Sequence, residues 1–545
     1  MVEIKNYIAE AVKDTLNVDV AVELTRPDPK FGDVATNVAL YLQKLVNEPP
    51  RDIAQKIVSA LKKHDIFTDL KVAGPGFINM TLSDNYLYKQ LSVEPKKINV
   101  QQKIVIETNN PNPFKAMHIG HAFNAIIADT IANLLDASGA EVHRVSYHGD
   151  VGSHVGKSMY SLLEFSDGDI HKIEQIPKEQ RNKFMSQMYA KGAKAYKEQE
   201  KAKQKIIELA AQSHSPTEEH YRAVYDLCKK WSFEQIDDLV LRIGNKPIEK
   251  RYLEGKTQDV GEKIVKDNMQ HFVKSEGAII FPGSKYGSFD NVFVASTGQG
   301  LYGARDLGLI RSKQDDFNPK KSYIVTAEEQ RDYFKGVIAA AGLCMPNLKD
   351  VTVNISTGTV KLTTGKMSSR SGDVVEVEWL LDQIEKAVKE RGAESSADIV
   401  TGAIRYEFLK VRLGSDVVFD VNEAANIRGN SGPYLQYAHA RACSILSKLD
   451  EPKEHLIDAL QTDEHALLLK LCDFKTVKIQ AVDDLMPHHL CVYLYELTQE
   501  FNRFYERNRV VGDAREKTRA LLLSQYRKIL QDGLSILGIP APNKM

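Results

Sequence analysis

The sequence predicts an α/β chain in which a parallel-sheet domain stands between a small α+β domain and an all-α domain. Residues 103–147 read as a βαβ unit, strands and helices alternate from about 99 to 394, and the pattern is almost wholly helical from about 395 onward. In the βαβ unit, KIVIE (Lys103 to Glu107) is a short apolar run suited to a buried parallel strand. Ile119, Phe123, Ile126, Ile127, Ile131, Leu134 and Leu135 recur at three- and four-residue spacing, which lays one apolar stripe against a sheet. Gly139 stops that helix, and EVHRVSY (Glu141 to Tyr147) begins a second strand. Further strands of the same sheet are expected at AIIF, SYIV and VTVNIS, with an insertion at roughly 155–290. Residues 1–98 open with a helix, pass through RPDPKFGDVATN and run on to strand-like VAGPGFINMTL. Residues 395–545 carry LLLKLCDF, LCVYLYELTQEFNRFY and LLLSQYRKILQDGLSIL, so the domains are drawn at 1–98, 99–394 and 395–545.

With 545 residues, 43% of them hydrophobic, the chain can bury several cores. Its 72 basic and 73 acidic residues leave a net charge of −1, so polyanion contacts must come from local patches. Cys228, Cys344, Cys443, Cys472 and Cys491 are far apart, which argues against a disulfide framework or a zinc ribbon; no metal site is expected. MVEIKNYIAEAVKDTL is an amphipathic helix with internal charges rather than a signal peptide, and no apolar run reaches the roughly 18 residues that span a bilayer. The expectation is a cytoplasmic protein with no membrane partner. Lys191, Lys194, Lys197, Lys201 and Lys205 share a helical face in the insertion, as a solvated face or an RNA contact would.

ETNNPNPFKAMHIGH (Glu107 to His121) lies where the first strand hands over to the helix, a place whose unpaired N–H groups and helix dipole favour phosphate. Gly120 lets a planar ring or a phosphate approach the backbone, and His118 and His121 can donate hydrogen bonds to phosphate oxygens. Roughly 250 residues later, TTGKMSSRSGDVV (Thr363 to Val375) reads as a Gly-flanked lid whose Lys366 and Arg370 can place cations on a triphosphate. In one α/β domain both segments can converge on the sheet's carboxyl edge. In the helical region, Tyr434, Gln436, Tyr437, His439 and Arg441 interleave rings, amides and cations, and FNRFYERNR adds Arg503 and Arg507. Single-stranded RNA loops are recognised by such mixtures, although the same rings also suit the core of a helical bundle.

HIGH together with KMSSR resembles the paired signatures of class I aminoacyl-tRNA synthetases. PNPFKAMHIGH, HGDVGSHVG, LYGARD, AEEQRDYF, GKMSSRSGDVV, GNSGPYLQYAHARA and LGIPAPNKM, in that order, resemble the arginyl-tRNA synthetases over nearly the whole chain. FGDVATN with GPGFIN resembles their additional amino-terminal domain. The resemblance implies a Rossmann-like class I catalytic domain with an insertion, an α+β tRNA-contacting domain before it and an all-α anticodon-binding domain after it. It implies ligation of L-arginine to tRNA(Arg): with ATP and Mg2+, arginine forms arginyl-adenylate with release of pyrophosphate, and transfer to the tRNA 3′ end then releases AMP. It also implies that activation requires bound tRNA, and the chain is expected to be a monomer.

Carried over residue by residue, the arginine pocket falls on Glu107, Asn112, His118, Asp150, Tyr302, Asp306 and Gln330. A planar guanidinium with five donors wants such carboxylates and amides, which lysine would leave half used. Tyr302 and Asp306 are one turn apart and share a side if YGARD opens a helix. ATP contacts fall on His118, Gly120, His121, Lys366, Met367 and Ser368, and tRNA contacts on Phe77, Asn79, Tyr434, Arg441, Arg503 and Arg507. Ser369 stands where many class I enzymes carry a phosphate-stabilising lysine, and Arg370 where they carry serine; Lys115, three residues before His118, is expected to substitute. The expected catalytic groups are therefore Lys115, His118, His121 and Lys366, which align reactants and stabilise charge with no protein nucleophile. Val151, Ser153 and His154 depart from the family's tryptophan and Thr-Gln, which puts the packing around Asp150 in question. Two other classes compete with this reading. A small-molecule nucleotidyltransferase uses a similar turn but has no use for the helical region, and a non-catalytic RNA-binding paralogue has no need of the four catalytic groups.

Overall fold

The computed structural model describes residues 2–93, 97–363, 375–391, 397–449 and 459–545. It contains two compact units, one of Lys97–Ala440, Gln480–Val492 and Gln531–Met545, the other of Met1–Lys96, Arg441–Ile479 and Tyr493–Leu530.

The first unit is built on a five-stranded sheet of β1 (Lys103–Glu107), β2 (Glu141–His148), β3 (Lys250–Leu253), β4 (Lys321–Ala327) and β5 (Thr352–Thr357). All neighbours are parallel, in the order β5-β4-β1-β2-β3, with Ile106 opposite Tyr323 on one side and Arg144 on the other. The strand order therefore reverses between β1 and β4, which is the switch point where doubly wound sheets open a ligand crevice at their carboxyl ends. Helix α1 (Ile119–Ala137) follows β1, and every residue of its expected stripe is buried. Helices α2 (Ser153–Ser166) and α3 (Glu219–Arg242) lie in the insertion between β2 and β3; the expected bounds of 155–290 overrun it, since β3 and α4 (Glu254–Asp267) also fall inside them, and α5 (Tyr302–Phe317) precedes β4. Behind α1, helix α6 (Ala397–Leu409) carries the fully buried Arg405. Its five N–H groups reach the carbonyls of Leu537 and Ile243 and the side chains of Asn245, Asp129 and Thr130 at 2.7–3.1 Å. A buried charge so fully satisfied fixes α6 on α1.

One expected strand lies elsewhere. Ala278–Phe281 is the middle strand of a separate antiparallel sheet, between Val273–Ser275 and Asn291–Val294. The parallel sheet's edge is instead β3, KRYL. A four-residue apolar run signals burial but not which sheet receives it, and an edge strand keeps charges because one side stays wet.

In the second unit, Phe77–Leu82 pairs antiparallel with Val34–Thr36 and with Phe67–Ala73. Helices Val2–Leu16 and Pro50–Leu61 bury Ile4, Ile8, Val12, Ile53 and Ile57 there. Helix Thr462–Cys472 belongs to the same unit and places His465 between Asp84 Oδ1 at 2.7 Å and Asp33 Oδ2 at 3.0 Å. Burial acts to lower this imidazole's pKa, but hydrogen bonds to Asp33 and Asp84 outweigh it and raise the pKa from 6.5 to about 9. A raised histidine contributes stability that is complete below its unfolded value and is lost as pH climbs through the folded one. The unfolding midpoint should thus fall between pH 6.5 and about 9, and His465→Gln should flatten that decline. A slope unchanged in the variant would mean that other groups carry it.

Candidate active site

A cleft of about 730 Å³ opens at the carboxyl ends of β1 and β4. Of the expected residues, Glu107, Asn112, His118, Gly120, His121, Tyr302, Asp306 and Gln330 line it. Lys115 and Asp150 do not, although each lies three residues from groups that do, Asn112 and His118 for one and Tyr147 for the other. Lys366, Met367 and Ser368, with Ser369 and Arg370, fall outside the described residues.

The turn from β1 to α1 explains the two histidines. His118 caps α1: its Nδ1 accepts from the His121 backbone N–H, and His121 Nδ1 accepts from the His118 N–H, both at 3.3 Å. The rings stack with centroids 3.6 Å apart. With each Nδ1 an acceptor, the proton of a neutral ring sits on Nε2, so each histidine keeps one donor free of the cap. Burial, reinforced by the charge of Lys115, lowers His118 to about 4 and holds His121 well below its ordinary value. Near pH 7 both are neutral donors, and the positive charge of this turn belongs to Lys115. A Cβ at position 120 would stand 3.2 Å from the His118 ring, so only glycine leaves that ring in place.

The flank of the second motif reaches the same turn. Ile119 N–H donates to the Val375 carbonyl at 2.8 Å and Val377 N–H to that of Met117 at 3.0 Å, bridging His118 and Glu376. Phe114, just before Lys115, has φ 64°. For a bulky residue that left-handed conformation costs about 1–3 kcal/mol, so surrounding structure must hold it.

Among the described residues, and besides the exposed Glu329, three carboxylates line the cleft. Glu107 is buried, paired with Lys313 Nζ at 2.6 Å, and accepts from Asn110 Nδ2 at 2.7 Å. Glu254 pairs with Arg305 at 2.8 Å, though burial still raises its pKa. Asp306 differs: among the described residues no cation lies within salt-bridge distance, and its partner is the Tyr333 hydroxyl, which donates to it. Burial, aided by Glu254 and Glu107 and opposed by the Tyr333 hydrogen bond, lifts Asp306 to about 7. YGARD does open α5, and Tyr302 stays exposed at the cleft's mouth one turn before Asp306. Lys313, Arg305, Glu254 and Tyr333 were not anticipated from sequence. Lys313 had a signal, since it follows Asp306 by seven residues and so returns to the same helical face.

Asp150 is held by the Gly255 N–H at 3.1 Å and the Tyr225 hydroxyl at 3.3 Å. The departures beside it close without tryptophan. Val151 is buried, and burial holds His154 near 4, so its neutral ring donates from Nε2 to the Gly149 carbonyl at 2.7 Å.

A family model described as the catalytic domain of tRNA synthetases class I (R) matches residues 83–418. The chain belongs to this family. The model of the arginyl tRNA synthetase N-terminal domain matches residues 2–82, and that of the DALR anticodon binding domain residues 435–545. The arginine–tRNA ligase of Crocosphaera subtropica is 30% identical across 97% of this chain and 96% of its own. That of Thermobifida fusca is 29% identical across the whole of both. The arginyl-tRNA synthetase of Thermus thermophilus shares the fold, with a TM-score of 0.80 over all of both chains at 21% identity. A class I synthetase of this type uses ATP, and the switch-point cleft with two Nε2 donors at a helix start is suited to a nucleotide.

Of the expected RNA contacts, Phe77 and Asn79 fall within the region matched by the amino-terminal domain and Arg441, Arg503 and Arg507 within that matched by the DALR domain, while Tyr434 lies just before the latter. Phe77 is exposed and Asn79 buried on the strand Phe77–Leu82. Tyr434 is half-buried on helix Gly432–Leu446; Arg441, on the same helix, reaches Asn502 at 3.5 Å and lies over the Tyr505 ring. Arg503 and Arg507 are exposed, paired with Glu500 and Asp463.

Proposed function

We propose that this chain ligates L-arginine to tRNA(Arg) in two steps, through arginyl-adenylate. The reading rests on Asp306, which among the described residues has no cation within salt-bridge distance, in a cleft where Glu107 and Glu254 pair with Lys313 and Arg305. A guanidinium entering beside Tyr302 would supply the missing charge and would keep Asp306 ionised. Gln330 offers an amide oxygen to the same ligand, and Asn112 the second lone pair of an Oδ1 that already accepts from the Gly149 N–H at 2.8 Å. Glu107 and Asp150 act on the pocket through their fixed partners. ATP enters with Mg2+, its phosphates meeting the Nε2 donors of His118 and His121 at the start of α1, with Gly120 under the nucleotide. Lys115 and Lys366 carry the positive charge that offsets what develops on the transferring phosphate, and Met367 and Ser368 close on ATP with the lid. The arginine carboxylate attacks the α-phosphate of ATP and pyrophosphate leaves; the tRNA 3′ hydroxyl then attacks the arginyl carbonyl of the adenylate and AMP leaves. In this reading residues 99–394 do the chemistry, while 1–98 and 395–545 hold tRNA through Phe77, Asn79, Tyr434, Arg441, Arg503 and Arg507. The chain works as a cytoplasmic monomer. Charging of a tRNA(Arg) transcript with labelled arginine tests the reading; charging with another amino acid in its place would overturn it.

For the RNA contacts, Arg441→Ala should weaken tRNA binding and lower the salt slope of log Kd by about one counterion, with the unfolding midpoint kept within a few degrees. A midpoint lower by about ten degrees with an unchanged slope would make Arg441 a packing residue and leave Arg503 and Arg507 as the phosphate contacts.

A further inference from the structure

Phe114 is the residue whose backbone sets where Lys115 points, and both of its backbone polar groups are held by the insertion. Its N–H donates to Ser232 Oγ at 3.0 Å, and its carbonyl accepts from Ser158 Oγ at 2.8 Å. Both serines are buried, Ser158 on α2 and Ser232 on α3. The Phe114 ring is completely buried in the apolar cluster of these helices with Val155, Met159 and Cys228, and it stacks on Tyr225 at 5.4 Å. Tyr225, on α3, also donates to the Asp150 carbonyl at 2.9 Å. One insertion helix thus grips the loops after β1 and after β2 together.

A left-handed phenylalanine persists only where its surroundings over-determine it. Here two hydroxyls and a ring socket do so, and the next residue, Lys115, is exposed. We infer that Ser158 and Ser232 are positioning residues for arginine activation, through which the insertion holds Phe114 in its left-handed turn and aims Lys115 at the transferring phosphate. This rests on the role of Lys115 proposed above. It gives the insertion a task in the first chemical step, distinct from any contact its lysines make.

Removing Ser232 Oγ leaves a buried N–H without its acceptor, and the turn is free to relax. A shift of about 1 Å at an aligned group is enough to cost up to about 10²-fold in rate. Ser232→Ala should lower kcat of tRNA-dependent pyrophosphate exchange by about tenfold with KM for arginine nearly unchanged, and Ser232→Thr, which keeps the hydroxyl, should recover most of it. The deciding measurement is the cycle with Lys115→Ala. If the serine acts through the lysine, Ser232→Ala should change the rate less than about twofold in the Lys115→Ala background. The same tenfold loss in that background, or no loss in the parent, would overturn the inference while leaving Lys115 its role. A Lys115→Ala enzyme as fast as the parent would instead remove the reading on which the inference stands.

Discussion

Lys115→Ala is expected to slow arginine activation by about 10² to 10³-fold, the loss seen when one group that stabilises transition-state charge is removed. The size of the effect follows from how little other charge the turn contains. His118 and His121 are neutral near pH 7, because burial outweighs anything that would protonate them, so they orient phosphate without offsetting its charge. Position 369, where many class I enzymes have lysine, is serine. Lys115 is exposed in a turn, so the unfolding midpoint should hardly move. Ser369→Lys should restore part of the rate in the Lys115→Ala enzyme. Activation within threefold of the parent, measured with saturating tRNA, would show that charge is supplied from elsewhere.

Asp306→Asn is expected to raise the arginine concentration needed for half-maximal activation by about 10² to 10³-fold, the loss for removing one member of a buried charge pair, with ATP requirement nearly unchanged. Because burial lifts Asp306 to about 7, below that pH it must release a proton before it can pair with a guanidinium. Arginine affinity of the parent should therefore climb by up to tenfold per pH unit towards pH 7 and level off above it, and the Asn variant should lack that climb. The sign for stability is opposite. A carboxyl raised from 3.8 to about 7 costs the fold stability as pH rises through that window, so Asp306→Asn, measured without arginine, should be as stable as the parent or more so at pH 8. Equal losses for arginine and ATP, with a lowered midpoint, would mean instead that the substitution damages the cleft itself.

Much of the architecture was legible because it depends on local pattern. The stripe from Ile119 to Leu135 and the break at Gly139 are enough to place α1 between two parallel strands, and the HIGH turn then has to fall at the sheet's carboxyl edge. The helical spacing of Tyr302 and Asp306 was equally readable once YGARD was taken to open a helix. What stayed hidden are pairings between groups far apart in the chain. Nothing local ties Glu107 to Lys313, 206 residues on, yet that bond decides that Asp306, not Glu107, is the acid left for a ligand. His465 reaches Asp33 across 432 residues, and the compact unit formed from both flanking regions leaves no periodic trace. In the sequence Phe114 is an apolar residue before a lysine, with nothing to mark its backbone. Its left-handed backbone depends on Ser158 and Ser232, on helices whose sequence marks no such contact.

If the acid-lined cleft activates arginine, ATP–pyrophosphate exchange should show it. With purified protein, ATP, Mg2+, arginine and tRNA(Arg), labelled pyrophosphate should enter ATP. Omission of arginine or of tRNA should abolish the exchange, and lysine in place of arginine should not restore it. Exchange supported equally by another amino acid, or none with arginine while tRNA remains bound, would contradict the claim.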